Sequence, residues 1–224
     1  MDKKKLYLLV WTSVAIFFGL LLALIFAVAG TWSFSYGWGF WFAFCIPTFL
    51  ITAYFLKVDP TLIERRIMPT ETRPKQVIGQ SIAMLFFCSL IVVPAVCYRF
   101  GYINFPFAVS VIADFCIIGG FVMVFKAFSV NTFASRAVET MENQSVICTG
   151  IYSKIRHPMY AGASLIIIAI PIALGSVVDF SLALPLIGII VLRILDEEKL
   201  LINELEGYQK YCKETKYRLI PYIW

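Results

Sequence analysis

Charged positions along the chain are confined to a few short stretches, and long uncharged blocks separate them. Residues 6–56 contain no Asp, Glu, Lys or Arg, and neither do residues 76–98. Residues 100–125 hold one charge, Asp114, and residues 158–192 hold one, Asp179. A membrane-spanning helix needs about 20 mostly apolar residues. The pattern predicts six membrane helices, over residues 6–29, 36–56, 76–98, 105–128, 158–175 and 180–195. The last two are short: at ~1.5 Å per residue they reach ~24–27 Å, against a hydrocarbon core of ~30 Å. They form a tight hairpin that either spans with local thinning or crosses only in part. The expected fold is an all-α polytopic membrane protein. Residues 1–129 make four spans, and residues 130–224 make a connector, the hairpin and a polar tail.

Composition agrees. Of 224 residues, 60% are hydrophobic and 15% charged, against about 45–50% and about 25% in ordinary soluble domains. That excludes a soluble globular domain, a disordered chain and a disulfide-stapled secreted one. The first apolar run is too long for the core of a cleaved signal peptide, and more hydrophobic sequence follows it. The six Cys are scattered without metal-ligand spacing and read as small apolar packing residues; no metal is expected. There is no internal repeat and no glycine-rich phosphate loop.

Charge then orients the spans. With six crossings, every Lys and Arg except Arg99 falls on one side. The positive-inside rule makes that side, and both termini, cytoplasmic. The net charge of +5 is this topogenic bias plus attraction to anionic headgroups. It does not indicate a nucleic-acid partner; the partner is the bilayer.

Polar residues kept near a membrane mark function, and three places qualify. The loop of residues 57–75 is either a short amphipathic surface helix or a solvated connector. Asp114 stands alone in the fourth span. The third and densest place joins residues 131–160 to the tail, residues 193–224. His157, the single histidine, precedes Pro158, a residue favoured at the first helical position. His157 and Arg156 therefore lie at a helix N-terminus, which attracts anions. The returning helix is expected to end at Asp196, Glu197 and Glu198, where its dipole disfavours acids. The hairpin then sets a cationic pair facing an acidic pair, a site for a zwitterion.

The ordered set Thr149-Gly150-Ile151-Tyr152, Arg156-His157-Pro158-Met159-Tyr160, Arg193, Glu197-Glu198, Leu201, Gly207-Tyr208-Gln209-Lys210-Tyr211, Tyr217-Arg218 and Pro221 resembles one family. It is that of the integral-membrane methyltransferases related to isoprenylcysteine carboxyl methyltransferase and phospholipid N-methyltransferases. Residues 131–135 look like its bacterial members, which implies the bacterial inner membrane or its equivalent. The resemblance implies S-adenosylmethionine as cofactor. His157, Tyr160, Glu197 and Glu198, with Arg156, would hold its amino-acid end. Val146, Ile147, Gly150 and Tyr152 would lie along its adenosine. Arg193, Tyr211 and Arg218 would stand near the acceptor or brace the site. Glu198 or His157 would take a proton where the acceptor is an amine. The acceptor is lipophilic: a prenylated cysteine carboxylate, a lipid amine or a similar molecule. Two rival readings remain at this level: a membrane reductase of the sterol-reductase type, holding a nicotinamide cofactor, and a non-catalytic membrane protein.

Overall fold

The structure is a computed structural model that describes residues 2–67, 74–131, 133 and 144–224. The elements are α1 (Lys3–Ala29), α2 (Ser35–Val58), α3 (Pro60–Ile67), α4 (Pro74–Arg99), α5 (Phe107–Val130), α6 (Pro158–Ala173), α7 (Phe180–Glu204) and α8 (Tyr208–Glu214). Among the described residues, one 3-10 turn, Gly150–Ser153, lies between α5 and α6. No strand occurs among the described residues, so the expected all-α architecture holds.

Among the described residues, four helices are long and apolar enough to cross a membrane: α1, α2, residues 76–99 of α4, and α5. The last two predicted spans divide differently. Helix α6 has 16 residues, about 24 Å. Helix α7 has 25 residues because it does not stop at the acids. Its apolar part ends near Leu195, and it continues through Asp196, Glu197 and Glu198 to Glu204. The expectation of acids at a helix C-terminus is therefore corrected. The reason is periodicity: Ile194, Glu198 and Leu201 share one buried face, so packing continues past the point where hydropathy falls.

Local signals set the other boundaries. Gly30 closes α1 in the left-handed region, with φ 71°, where glycine costs least. Pro60 opens α3 and the Asp59 carboxylate accepts the Leu62 N–H at 3.1 Å, an N-cap bond. This settles the 57–75 loop in favour of a short helix as far as Ile67, with Leu62 and Ile63 buried; residues 68–73 lie outside the described residues. Pro158 stands at the start of α6, as expected.

Helix α6 sits at the centre. Its closest neighbour is α5, and the approach is made by two glycines. A Cβ on Gly162 would lie 2.5 Å from the Gly120 carbonyl oxygen, and one on Gly120 would lie 2.7 Å from that of Gly162. Small residues let membrane helices touch backbone to backbone. The main core gathers Ile25, Phe34, Phe40, Leu90, Ile117, Ile170 and Leu174 from α1 to α6. This packing fixes the α6 N-terminus against the end of α5, and the pocket lies there.

Candidate active site

The pocket lies where α5 ends and α6 begins. Its walls come from the residues after α5 (Asn131, Phe133), the irregular run from Gln144 to Ile147, Tyr152, the residues around the start of α6 (Arg156, His157, Met159, Tyr160), α7 and the residue after it (Glu197, Leu201, Leu205) and α8 (Tyr208, Tyr211). Eight residues expected from sequence line it: Val146, Ile147, Tyr152, Arg156, His157, Tyr160, Glu197 and Tyr211. Gly150, Arg193, Glu198 and Arg218 do not, though each contacts or shapes residues that do.

Glu198 is the hub behind the wall. Arg156 Nε donates to its Oε1 at 2.6 Å, and Arg218 Nε donates to its Oε2 at 2.8 Å. His157 Nε2 lies 3.1 Å from Oε1. An ionised carboxylate only accepts, so this ring nitrogen carries the proton. Glu198 is 4% exposed. Burial by itself raises a carboxyl, but the hydrogen bonds from His157 and Arg218 and the charges of His157 and Arg156 outweigh it. They bring Glu198 down to about 2. Arg156 is equally committed: its Nη1 donates to the carbonyls of Cys212, at 3.3 Å, and Thr215, at 3.1 Å. Two guanidiniums around one carboxylate leave the cluster net positive. The chain reinforces it by backbone pairing, since Arg156 and His157 N–H groups donate to the Tyr217 and Arg218 carbonyls, both at 2.9 Å. The Arg218 guanidinium lies 5.1 Å from the Trp224 ring.

Glu197 points the other way, into the pocket. The Tyr160 hydroxyl donates to its Oε2 at 2.7 Å and accepts from Arg193 Nε at 2.8 Å. Arg193 Nη1 donates to Gln76 Oε1 at 3.1 Å, and Gln76 Nε2 donates to Asp196 Oδ2 at 2.6 Å. This relay ties α4 to the pocket. Gln76 was read only as the start of a span; a polar residue kept at a span boundary was the available signal.

The residues expected along the adenosine are held by turns and tyrosines. Gly150 has φ +60°, and a Cβ there would sit 3.0 Å from Val130. It forms the turn that leads into the 3-10 segment. The Asn131 amide donates to the Tyr152 hydroxyl oxygen at 3.2 Å. Burial pushes the Tyr152 phenol up to about 12, with the Asn131 bond pulling the other way, so it keeps a proton to donate. The Tyr211 hydroxyl donates to the Tyr152 carbonyl at 2.7 Å, which ties α8 to the 3-10 segment. Of residues 131–135, only Asn131 and Phe133 are described, and both line the pocket. Sequence reasoning named neither as a site residue, nor Gln144, Met159, Leu201, Leu205 and Tyr208. Leu205 carried no signal at all, being an ordinary apolar residue just past the end of α7.

Comparison with known proteins places this geometry. Residues 109–207 match the phospholipid methyltransferase family. That stretch runs from α5 to the residue before α8 and includes Glu197, Glu198 and the Arg156-His157-Pro158 run. The fold is similar to that of a eukaryotic intramembrane Ras methyltransferase, isoprenylcysteine carboxyl methyltransferase. The TM-score is 0.60 and the identity 20%, over 94% of this chain and 75% of that one. The resemblance to integral-membrane methyltransferases read from the sequence therefore stands, for family pattern and for fold. A third similarity is to a Delta(14)-sterol reductase of Mus musculus, 28% identical over 90 residues, or 39% of this chain. The chain spans about a fifth of that relative's length, since the match covers 22% of it.

Proposed function

We propose that the protein is a membrane methyltransferase that uses S-adenosylmethionine and acts on a lipophilic acceptor at the cytoplasmic face. The observation that carries the reading is the pairing of opposite signs at one pocket. Glu197 offers a carboxylate, and the Arg156–His157–Arg218 cluster keeps a net positive charge around Glu198. A ligand bearing an ammonium and a carboxylate fits that donor set. Its apolar wall of Val146, Ile147 and Leu201 suits a flat nucleoside. The free space is about 100 Å³, below the ~300–1,000 Å³ usual for such ligands. Binding therefore moves the irregular run 144–149 outward.

When bound, S-adenosylmethionine supplies a methyl group on a sulfonium, open to direct displacement. The chain's residues then have distinct tasks. Glu197, held by Tyr160 and Arg193, takes the ammonium. His157 and the cluster behind it draw the carboxylate. Tyr152 and Tyr211 close the far side and exclude water, which a displacement at carbon requires. Glu198 has both oxygens engaged and strongly favours its ionised form, so it positions His157 and Arg218 and does not take protons. Of the two base candidates that leaves His157, which takes an amine acceptor's proton only through Nδ1, with that nitrogen unprotonated while Nε2 stays on Glu198. A carboxylate acceptor needs no base.

Purified protein incubated with methyl-labelled S-adenosylmethionine and a panel of phospholipids and prenyl-cysteine peptides should label one class; label in none would end the reading. The partial match to a sterol reductase supports a second reading with a nicotinamide cofactor. Melting curves separate the two, because a ligand stabilises the state it binds. S-adenosylhomocysteine should raise the melting temperature and NADPH should not; the reverse favours the reductase.

A further inference from the structure

A second cavity lies away from the pocket, on the lipid-facing side between α2 and α5. It is a groove of about 740 Å³, and the sequence explains its shape. Gly39, Ala43 and Pro47 recur every fourth residue of α2 and line it. Three small residues on one face leave space where larger side chains would fill it. Phe115 of α5 and Tyr54 of α2 wall it and stay exposed to the membrane.

The groove is apolar but for two groups, the Asp114 carboxyl and the Tyr54 hydroxyl. Asp114 lines it, and its Oδ1 is buried with no hydrogen-bond partner among the described residues. Its Oδ2 presses on α2 where Gly39 lacks a side chain: a Cβ there would lie 2.5 Å away. One helical turn along, Pro47 has no N–H to give the Ala43 carbonyl. Among the described residues that line it, the groove offers a carboxylate and no cation. In hydrocarbon an unpaired carboxylate is costly; it is relieved by taking up a proton or by a donor that a guest brings. An ammonium supplies three donors and the opposite charge; an alcohol supplies one donor and no charge.

From Asp114 to Asn131, at the pocket, is 17 residues of chain, about 25 Å along the helix. A head group at Asp114 is therefore out of reach of the methyl-transfer pocket, and the groove is a separate site. From Asp114 to Phe125, both of which line it, it runs about 16 Å, the length of an alkyl chain of about thirteen carbons, so a longer chain extends past Phe125.

We propose that the α2–α5 groove binds a long-chain lipophilic amine, its protonated head on Asp114 and its chain along the groove toward Tyr54.

The test is photolabelling of the full chain in lipid nanodiscs with a diazirine-bearing octadecylamine, beside the matching alcohol and alkane. The amine should label peptides of α2 and α5 at least fivefold more than either control. Asp114→Leu should bring it down to the alkane level. Ile46→Trp fills the groove without touching Asp114 and should do the same. A single gel-filtration peak and a cooperative melting transition no lower than the parent's certify each variant as folded. Where Asp114→Leu fails that check, Ile46→Trp decides alone. Equal labelling by amine and alcohol would overturn the charge pairing. Unchanged labelling in the folded variants, or labelling elsewhere, would overturn the site. None of these outcomes depends on whether the pocket transfers a methyl group.

Discussion

Glu198 and Glu197 are neighbours in sequence with opposite surroundings, and that difference governs what each can do. Glu198 is enclosed by Arg156, His157 and Arg218. Removing one member of a buried ion cluster strands the others, at a cost of about 3–5 kcal/mol. Glu198→Ala should therefore lower the melting temperature sharply and abolish cofactor binding together. Glu197→Gln should leave the melting temperature nearly unchanged and weaken binding of S-adenosylhomocysteine by at least tenfold, read by calorimetry. The same contrast has a pH signature. The Glu198 carboxyl is held at about 2, below its ordinary 4.5. A depressed carboxyl contributes stability that is complete above 4.5 and is lost as pH falls toward 2. Urea midpoints between pH 5 and pH 2 should fall steeply for the parent protein and less steeply for Glu198→Gln. The sequence marked both acids as site residues. It could not separate them, because which carboxylate turns to the pocket depends on the rotation of α7.

At the scale of elements, the contact between α5 and α6 sets the pocket's geometry. Gly119 and Gly120 are adjacent, yet a Cβ on Gly119 meets nothing within 4 Å while one on Gly120 meets Ile166 at 2.6 Å and the Gly162 carbonyl at 2.7 Å. Gly120→Ala should force the helices apart and cost about 1–3 kcal/mol, as overpacking does. Gly119→Ala should be neutral or slightly stabilising. Thermal unfolding in one detergent compares them directly, and equal losses would mean that the close crossing is not where the structure puts it. Both glycines read alike in sequence, since hydropathy shows that a span exists and not which face meets a neighbour. Helix ends were legible where chemistry marked them, at Gly30 and Pro158. The end of α7 was misplaced by hydropathy, because a helix leaving an apolar stretch keeps its hydrogen bonds and its buried face.

Across the whole molecule, the tail closes what the hairpin begins. The stretch from Tyr217 to Arg218 pairs with Arg156 and His157, and the N–H groups of Arg218, Leu219 and Ile220 all point to the Trp224 carbonyl oxygen, at 2.8 to 3.1 Å. The folded-back tail holds Arg218 against Glu198 while the Trp224 ring covers its guanidinium. Trp224→Ala should loosen that grip, cutting S-adenosylhomocysteine affinity several-fold with a small change in melting temperature. If affinity is unchanged, the tail only caps the bundle. The pocket thus draws on α5, α6, α7, α8 and the tail, segments separated by up to 90 residues and joined through the Tyr211–Tyr152 and Arg156–Tyr217 bonds.

By itself the sequence determined that the chain is a helical membrane protein, because burying uncharged blocks of this length in lipid is a property of composition and order alone. It also singled out Arg156-His157-Pro158 and Glu197-Glu198 as candidates, since they are polar residues retained beside apolar helices. Only the tertiary structure decided that Glu198 is a buried clamp and Glu197 the pocket carboxylate, that Gln76 and Arg193 brace Tyr160, and that Asp114 opens on a groove. Those outcomes depend on helix rotation and on contacts between residues far apart in the chain, which no local pattern encodes.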